Sequence, residues 1–283
     1  MQASANNALW QLIDGVLVVN LDQRPDRWAE FQRAVQGIIP PEKLHRLPAR
    51  WGRDIPGFGQ PPWFRGGKRD NTWAGRAGCL QSHRNALLKA REAGWRTVLL
   101  LEDDGAFAPE FSNMAATLAA ALQEHEWQVC YFGFTEPWSP SRQLAMLDGP
   151  YSLQQVHGCT TTHAYLVRET ARDWILNQLP AEDKVWRWLA AHRAIDRWYQ
   201  RQLGLRFPVT CISPSIINQN ASASDIVMQP SPLANEGGRA AAVVARSSGN
   251  VSYYLCHALR RVSVRVGLAG DVLRGWTRKL RGF

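Results

Sequence analysis

What the chain has little of narrows its class before any motif is read. No run of 18 apolar residues occurs in its 283 residues, so no transmembrane helix is expected. The first residues carry no basic patch leading into an apolar stretch, and no signal peptide is expected there. Cysteine is sparse: Cys79, Cys130, Cys159, Cys211 and Cys256 are widely scattered, with no C-x-x-C pair. An odd, dispersed set points to neither a zinc site nor a disulfide framework, and a reducing compartment fits it. Acidic residues are in deficit, 24 against 33 Lys and Arg, for a net charge of +9. Residues 251–283 hold seven of those basic residues and one acid, Asp271. The body is therefore only mildly basic. A basic surface suits nucleic acid, a membrane or a phosphorylated substrate, but nothing in the body reads as a nucleic-acid module.

What is present is an ordinary apolar fraction of 45%, enough to bury a real core, and one distinctive stretch, Thr97-Val98-Leu99-Leu100-Leu101-Glu102-Asp103-Asp104. Its apolar part shows no alternation and reads as a strand buried on both faces. Three carboxylates then follow at its end, where they repel one another strongly at low effective dielectric. A hard divalent cation such as Mg²⁺ or Mn²⁺, which takes oxygen ligands, would relieve them, and ligands of open α/β sheets sit at the carboxyl ends of strands. On the triplet alone a solvated acidic turn stays equally open.

Val16-Leu17-Val18-Val19-Asn20-Leu21 reads as the first strand, running into a polar loop with Asp22, Arg24, Asp26 and Arg27. Such a loop can seat a nucleotide, with Arg24 and Arg27 gripping a diphosphate or else marking the start of a helix over 26–36. Residues 40–77, rich in Pro, Gly and Arg with Trp51, Trp63, Phe64 and Trp73, read as a long loop whose rings either stack on a sugar or base or pack over the sheet. Gly78 is expected to open a helix, placing Ser82 and His83 near an N-terminus that favours an anion. Further on, helices are expected at 109–125, 168–178 and 181–203, and strands at 129–134 and 206–212. The aromatics Trp186, Trp188, Trp198 and Tyr199 would wall an acceptor site or simply pack. Residues 135–150 read as a loop and 227–250 as a linker. In the tail, Leu255, Leu259, Val262, Val266, Ala269, Leu273, Trp276, Leu280 and Phe283 recur at alternating spacings of four and three. That is a basic amphipathic helix, suited to an anionic membrane surface, a coiled-coil partner or docking on the body, and weakened by Gly267, Gly270 and Gly275, each by about 1 kcal/mol relative to Ala.

Taken in order, Val18-Val19-Asn20-Leu21 with Arg24 and Arg27, Gly75-x-x-Gly78-Cys79-x-x-Ser82-His83, Leu101-Glu102-Asp103-Asp104, the Gly158–Val167 stretch with Ala164-Tyr165-Leu166-Val167, Asp196 in Ala194-Ile195-Asp196-Arg197-Trp198, and Gln219 followed by Ser224-Asp225-Ile226 resemble glycosyltransferase family 25. This is the group of lipooligosaccharide galactosyltransferases related to collagen galactosyltransferases. The likeness spans residues 16–226 and departs from the family at Arg76-Ala77, where an acidic and an aliphatic residue are usual; residues 105–155 contribute nothing to it.

The resemblance implies an α/β fold of GT-A type, a Rossmann-like, mostly parallel sheet flanked by helices, over residues 1–226, with the amphipathic tail at 251–283. It implies an inverting galactosyltransferase that uses a UDP-sugar donor, Mn²⁺ or Mg²⁺, and a lipopolysaccharide or other surface glycan as acceptor. Carried over, Glu102 and Asp104 hold metal. Asn20, Leu21, Arg24, Arg27, Ser82, His83 and Asp103 lie on the donor side, with Asp103 the more structural of the acids. Asp196, and after it Asp225, is the base. With the tail on lipid, the protein would sit in the cytoplasm on the inner face of a bacterial inner membrane. Two other readings remain: a metal-dependent nucleotidyltransferase or sugar-nucleotide hydrolase, and a non-catalytic binder of membrane or nucleic acid that uses the tail.

Overall fold

The computed structural model describes residues 8–65, 70–135, 137, 140–220 and 249–283. Its centre is an eight-stranded sheet. The strands are β1 (Gly15–Asn20), β2 (Leu44–Pro48), β3 (Thr97–Glu102), β5 (Val129–Gly133), β6 (Arg142–Met146), β7 (Ser152–Val156), β8 (Ala164–Arg168) and β9 (Val209–Ser213). They lie in the order β2-β1-β3-β8-β5-β9-β7-β6. β2, β1 and β3 run parallel, as do β5 and β9, while β8 and β7 run against their neighbours. The sheet is mixed α/β and mostly parallel in direction, as expected. A second, two-stranded antiparallel sheet joins β4 (Gly105–Phe107) to β10 (Ile217–Gln219).

The apolar runs are buried on both faces because helices cover both. Leu17, Leu100, Tyr131 and Val167 point to one side, against α2 (Asp70–Glu92), α4 (Glu169–Gln178), α5 (Val185–His192) and α6 (Ile195–Arg206). Val16, Val18, Leu99, Leu101 and Phe132 point to the other, against α1 (Pro25–Ala34), α3 (Phe111–Glu124) and the turn of helix at 8–12. Successive strand residues alternate between these two cores.

Several expectations are corrected. The supposed loop at 40–77 contains β2, and α2 begins at Asp70 rather than at Gly78. Ser82 and His83 consequently lie in mid-helix, where the anion-binding argument from free N–H groups does not apply. The helix expected over 181–203 is two helices, broken where Arg193 takes φ 75°. The loop at 135–150 contains β6. Trp186, Trp198 and Tyr199 are at most 5% exposed and belong to the core, not to an open wall. Trp73 and Phe64 are likewise buried. The linker at 227–250 lies outside the described residues except for its last two.

The tail forms one long helix, α7 (Asn250–Arg281), docked on α5 and α6. Its inward face is mixed: Tyr253 and Val264 are buried on it beside Asp271, and polar contacts tie it to the ends of two helices. Arg274 donates to the Ala191 carbonyl and Arg278 to the Ala190 carbonyl, so two guanidiniums satisfy the last turn of α5, where unpaired carbonyls gather negative charge. Arg261 does the same for Leu205 near the end of α6. Asp271, only 1% exposed, sits between Arg274 at 2.6 Å and Arg201 at 2.7 Å, with His192 at 3.5 Å. At the end of the helix Gly282 turns at φ 78°, where a Cβ would press on Arg65. That turn swings Phe283 onto Trp73 with ring centroids 3.9 Å apart, beside Phe64 and Trp186.

Removing the buried acid alone strands two facing arginines. Because both are partly exposed and partly screened, Asp271→Ala is expected to lower unfolding free energy by about 2 kcal/mol, less than a fully buried pair costs when broken. Urea denaturation monitored by circular dichroism checks this; an unchanged midpoint would show that the arginines dock the helix without it.

Candidate active site

Topology collects the site. β1, β3 and β5 end at one edge of the sheet, and antiparallel β8, between β3 and β5, begins at that edge, with Ala164 opposite both Leu101 and Gly133. Asn20, Glu102 and Thr162-His163 thus meet. The approach is close: a Cβ on Gly133 would collide with the His163 ring and the Ile217 carbonyl, so only glycine fits there.

The three carboxylates turn to three different sets of partners. Glu102 faces α2 and the start of β8: its Oε1 lies 3.3 Å from His83 Nε2 and accepts the Thr162 hydroxyl at 3.2 Å. Burial pushes its pKa up, but the hydrogen bond and charge of His83, with His163 and Thr162, bring it below the usual glutamate value. His83 is fixed from behind by the Tyr165 hydroxyl, 3.1 Å from Nδ1, which in turn neighbours Tyr199. Asp103 turns back to the loop after β1. Asn20 Nδ2 donates to one of its oxygens at 2.6 Å and Arg27 pairs with the other at 3.0 Å. Even so, burial leaves its pKa raised.

Asp104 is the least satisfied. The small sheet holds its backbone, since the Asn220 N–H donates to the Asp104 carbonyl and Gln219 pairs with Gly105. Gln219 Nε2 donates to Oδ2 at 3.2 Å, while Oδ1 is buried with no hydrogen-bond partner among the described residues. Burial and the adjacent Glu102 push its pKa up to about 7. An orphaned buried carboxylate oxygen that feels the charge of a second carboxylate, Glu102, suits a hard divalent cation.

Asp196 approaches from the first turn of α6. Its Oδ2 accepts the Thr161 N–H at 3.2 Å and its Oδ1 that of Arg197 at 2.8 Å. Thr161 holds φ 64°, a strained conformation for a β-branched residue of the kind found at functional sites. Asp196 and Glu102 share surroundings, for the Cys79 thiol is pushed up first by burial and then by the charges of both. Asp225 lies outside the described residues.

Among the remaining sequence candidates, Leu21 accepts the Arg24 N–H in the turn after β1. Arg24 clasps exposed Asp26, and Arg27 is committed to Asp103, so a phosphate would share either guanidinium with an acid. Ser82 pins a loop: it accepts the Arg50 N–H at 2.8 Å and donates to the Gly78 carbonyl at 2.7 Å. Cys79, His83 and Glu102 bring ligand atoms within 4.8 Å of one another. Residues missed in the sequence are Thr162, His163 and Arg46, whose guanidinium donates to Asn20 Oδ1 at 2.7 Å and to Asp22 at 2.6 Å. Arg46 lies inside a stretch that reads as loop; Thr162 and His163 lie inside the Gly158–Val167 stretch but carry no signal of their own.

No protein-family model matches the chain. In sequence it is similar to a glycosyltransferase. A "Glycosyltransferase 25 family member" of Drosophila pseudoobscura pseudoobscura is 26% identical over 146 residues, which are 44% of this chain and 22% of that protein. The chain thus spans under a quarter of that relative. Among solved structures, mannose-1-phosphate geranyltransferase from Thermus thermophilus matches with a TM-score of 0.33 and 12% identity, over 71% of this chain and 73% of its own. A glycosyltransferase involved in glycosylation of the major capsid of PBCV-1 matches with a TM-score of 0.27 and 14% identity, over 60% of this chain and 72% of its own.

The raised pKa of Asp104 has a consequence for stability. Between pH 3.8 and about 7 the folded state holds a proton that the unfolded chain has released, so this residue makes stability fall as pH rises through that window. In EDTA, Asp104→Asn is expected to stabilise the protein by on the order of 3 kcal/mol at pH 8 and by clearly less at pH 5. Urea unfolding at the two pH values checks this, and an equal effect at both would refute it.

Proposed function

We propose that the protein is a metal-dependent glycosyltransferase that moves a sugar, galactose, from a UDP-sugar to a hydroxyl of a surface glycan such as lipopolysaccharide, with inversion. The observation that carries this is the buried Oδ1 of Asp104 at the carboxyl edge of the sheet, without a hydrogen-bond partner among the described residues and under the charge of Glu102; the sequence likeness to a glycosyltransferase supports it. Asp104 and Glu102 are the residues that would hold Mn²⁺ or Mg²⁺. When bound, the cation supplies Lewis-acid stabilisation of a departing diphosphate.

The chain's own groups do the rest. Asp103, tied to Asn20 and Arg27, joins the β1 loop to the end of β3 and gives the donor pocket a fixed wall. Arg27 and Arg24, each already beside an acid, offer a diphosphate charge-assisted donors at the rim. Gln219 orients Asp104, and His83 with Thr162 orients Glu102, so neither carboxylate must reorganise when charge develops. Asp196, held by two backbone N–H groups, is the acceptor-side base, accepting the hydroxyl proton as the new glycosidic bond forms; Asp225 is the second candidate.

Asp104→Ala is expected to reduce sugar transfer at least about a hundredfold, a loss typical of removing a group that stabilises charge in the transition state, with the far-ultraviolet circular dichroism unchanged. A thermal-shift screen of nucleotide sugars with Mn²⁺ names the donor, since a bound donor raises the melting temperature by mass action. Full activity in the variant would overturn the assignment. Release of free sugar with no glycan product, whatever acceptor is supplied, would instead favour a sugar-nucleotide hydrolase.

A further inference from the structure

The tail helix is inverted relative to an ordinary surface helix. Such helices turn an apolar stripe to the core and polar residues to water. In α7 Arg261, Arg274, Arg278 and Asp271 reach the body, only Tyr253 and Val264 of its large apolar residues are buried there, and the long apolar stripe faces away. Leu255, Leu259, Val262, Val266, Leu273 and Leu280 are each between 60% and 70% exposed, and Trp276 in the same row is 66% exposed. The row runs for most of a 32-residue helix. An apolar patch this long is rare on a monomer's surface and marks an interaction site.

The charge beside the stripe selects the occupant. Arg265 and Lys279 are exposed along one flank, and Asp271, the single acid of 251–283, is buried against the body. The stripe has the four-three spacing of a coiled-coil seam, but its flanks offer no acid to pair with these cations. A second copy would set like charges against each other at the positions that normally carry interhelical ion pairs. An anionic bilayer meets both features, taking the apolar row into the acyl boundary and the cations among its headgroups. No helix among the described residues is long and apolar enough to cross a membrane, so the contact is made along the helix and not through it. We infer that the outward face of α7 is a docking surface for an anionic lipid bilayer. The Asp271 cluster and the Phe283 plug hold it in that orientation. This inference stands on the helix alone and does not depend on the proposed transferase chemistry.

The test is co-sedimentation of the full chain with vesicles of phosphatidylcholine alone and with about one third phosphatidylglycerol, an anionic surface. Binding is expected to the anionic vesicles, weakly or not at all to the neutral ones, and to fall with added salt. The triple variant Leu259→Gln, Val266→Gln, Leu273→Gln is expected to bind about tenfold more weakly or worse while keeping its circular dichroism and its sugar-transfer activity on a soluble acceptor. Arg265→Gln with Lys279→Gln tests the charged flank without altering the apolar row, and is expected to reduce preference for the anionic vesicles. Equal binding to both vesicle types, no binding to either, or a concentration-dependent dimer in light scattering that the triple variant abolishes would each overturn the inference; the last would assign the stripe to a second copy.

Discussion

Everything near the sheet edge follows from the difficulty of placing three consecutive carboxylates at the end of a buried strand. Their mutual repulsion in a low-dielectric setting is severe, and the fold separates them by turning each to a different element. Glu102 goes to α2 and β8, Asp103 to the loop after β1, and Asp104 to the small sheet of β4 and β10. Two of the three are answered by donors or a cation of the chain. Among the described residues Asp104 accepts one neutral amide and feels the charge of Arg27, which do not offset its burial and the charge of Glu102, and its pKa is pushed up to about 7. A carboxylate held at such a cost is the mark of a functional site more often than of a structural one.

The tail shows the same logic of satisfied ends. α5 and α6 finish against α7, and their last carbonyls need donors. Arg261, Arg274 and Arg278 supply them, which is why much of the tail's charge faces inward. With these arginines, Asp271, Tyr253 and Val264 occupying the inward face, the apolar row is turned outward. Phe283 is the exception among the nine periodic residues, because the left-handed turn at Gly282 redirects it into the aromatic cluster around Trp73.

How much of this is legible in the sequence depends on whether the signal is local. β1 and β3 are readable because strands buried on both faces are uninterrupted apolar runs, and α1, α3 and the tail because their apolar residues recur at helical spacing. β2 and β7 are not. β2, Leu44–Pro48, is half-exposed at the edge of the sheet and ends in proline; β7 carries Gln154 and Gln155 in Ser-Leu-Gln-Gln-Val. Neither looks like a core strand until its neighbours are known. The start of α2 is hidden because Gly75 and Gly78 look like punctuation. The site divides in the same way: Glu102, Asp103 and Asp104 announce themselves as a run, and Asn20 and Asp196 come with the family likeness. Arg46, Thr162 and His163 are single residues made relevant by strand order alone.

The glycines of α2 explain why one helix carries so much of the site. A Cβ on Gly78 would strike the Arg50 carbonyl, and one on Gly52 would strike the Ala74 carbonyl, so the helix and the 50–54 segment pack backbone to backbone. Ser82, one turn beyond Gly78, locks that contact by bonding to both sides of it. His83, at the next position, is thereby held at a fixed height against the end of β3. Five residues on from Gly78, a rise of about 7.5 Å along the axis, its ring meets Glu102 on one side and Tyr165 on the other. The spacing Gly-Cys-x-x-Ser-His is therefore a ruler: glycine sets how near the helix comes, serine keeps it there, and histidine delivers a donor to the first of the three acids.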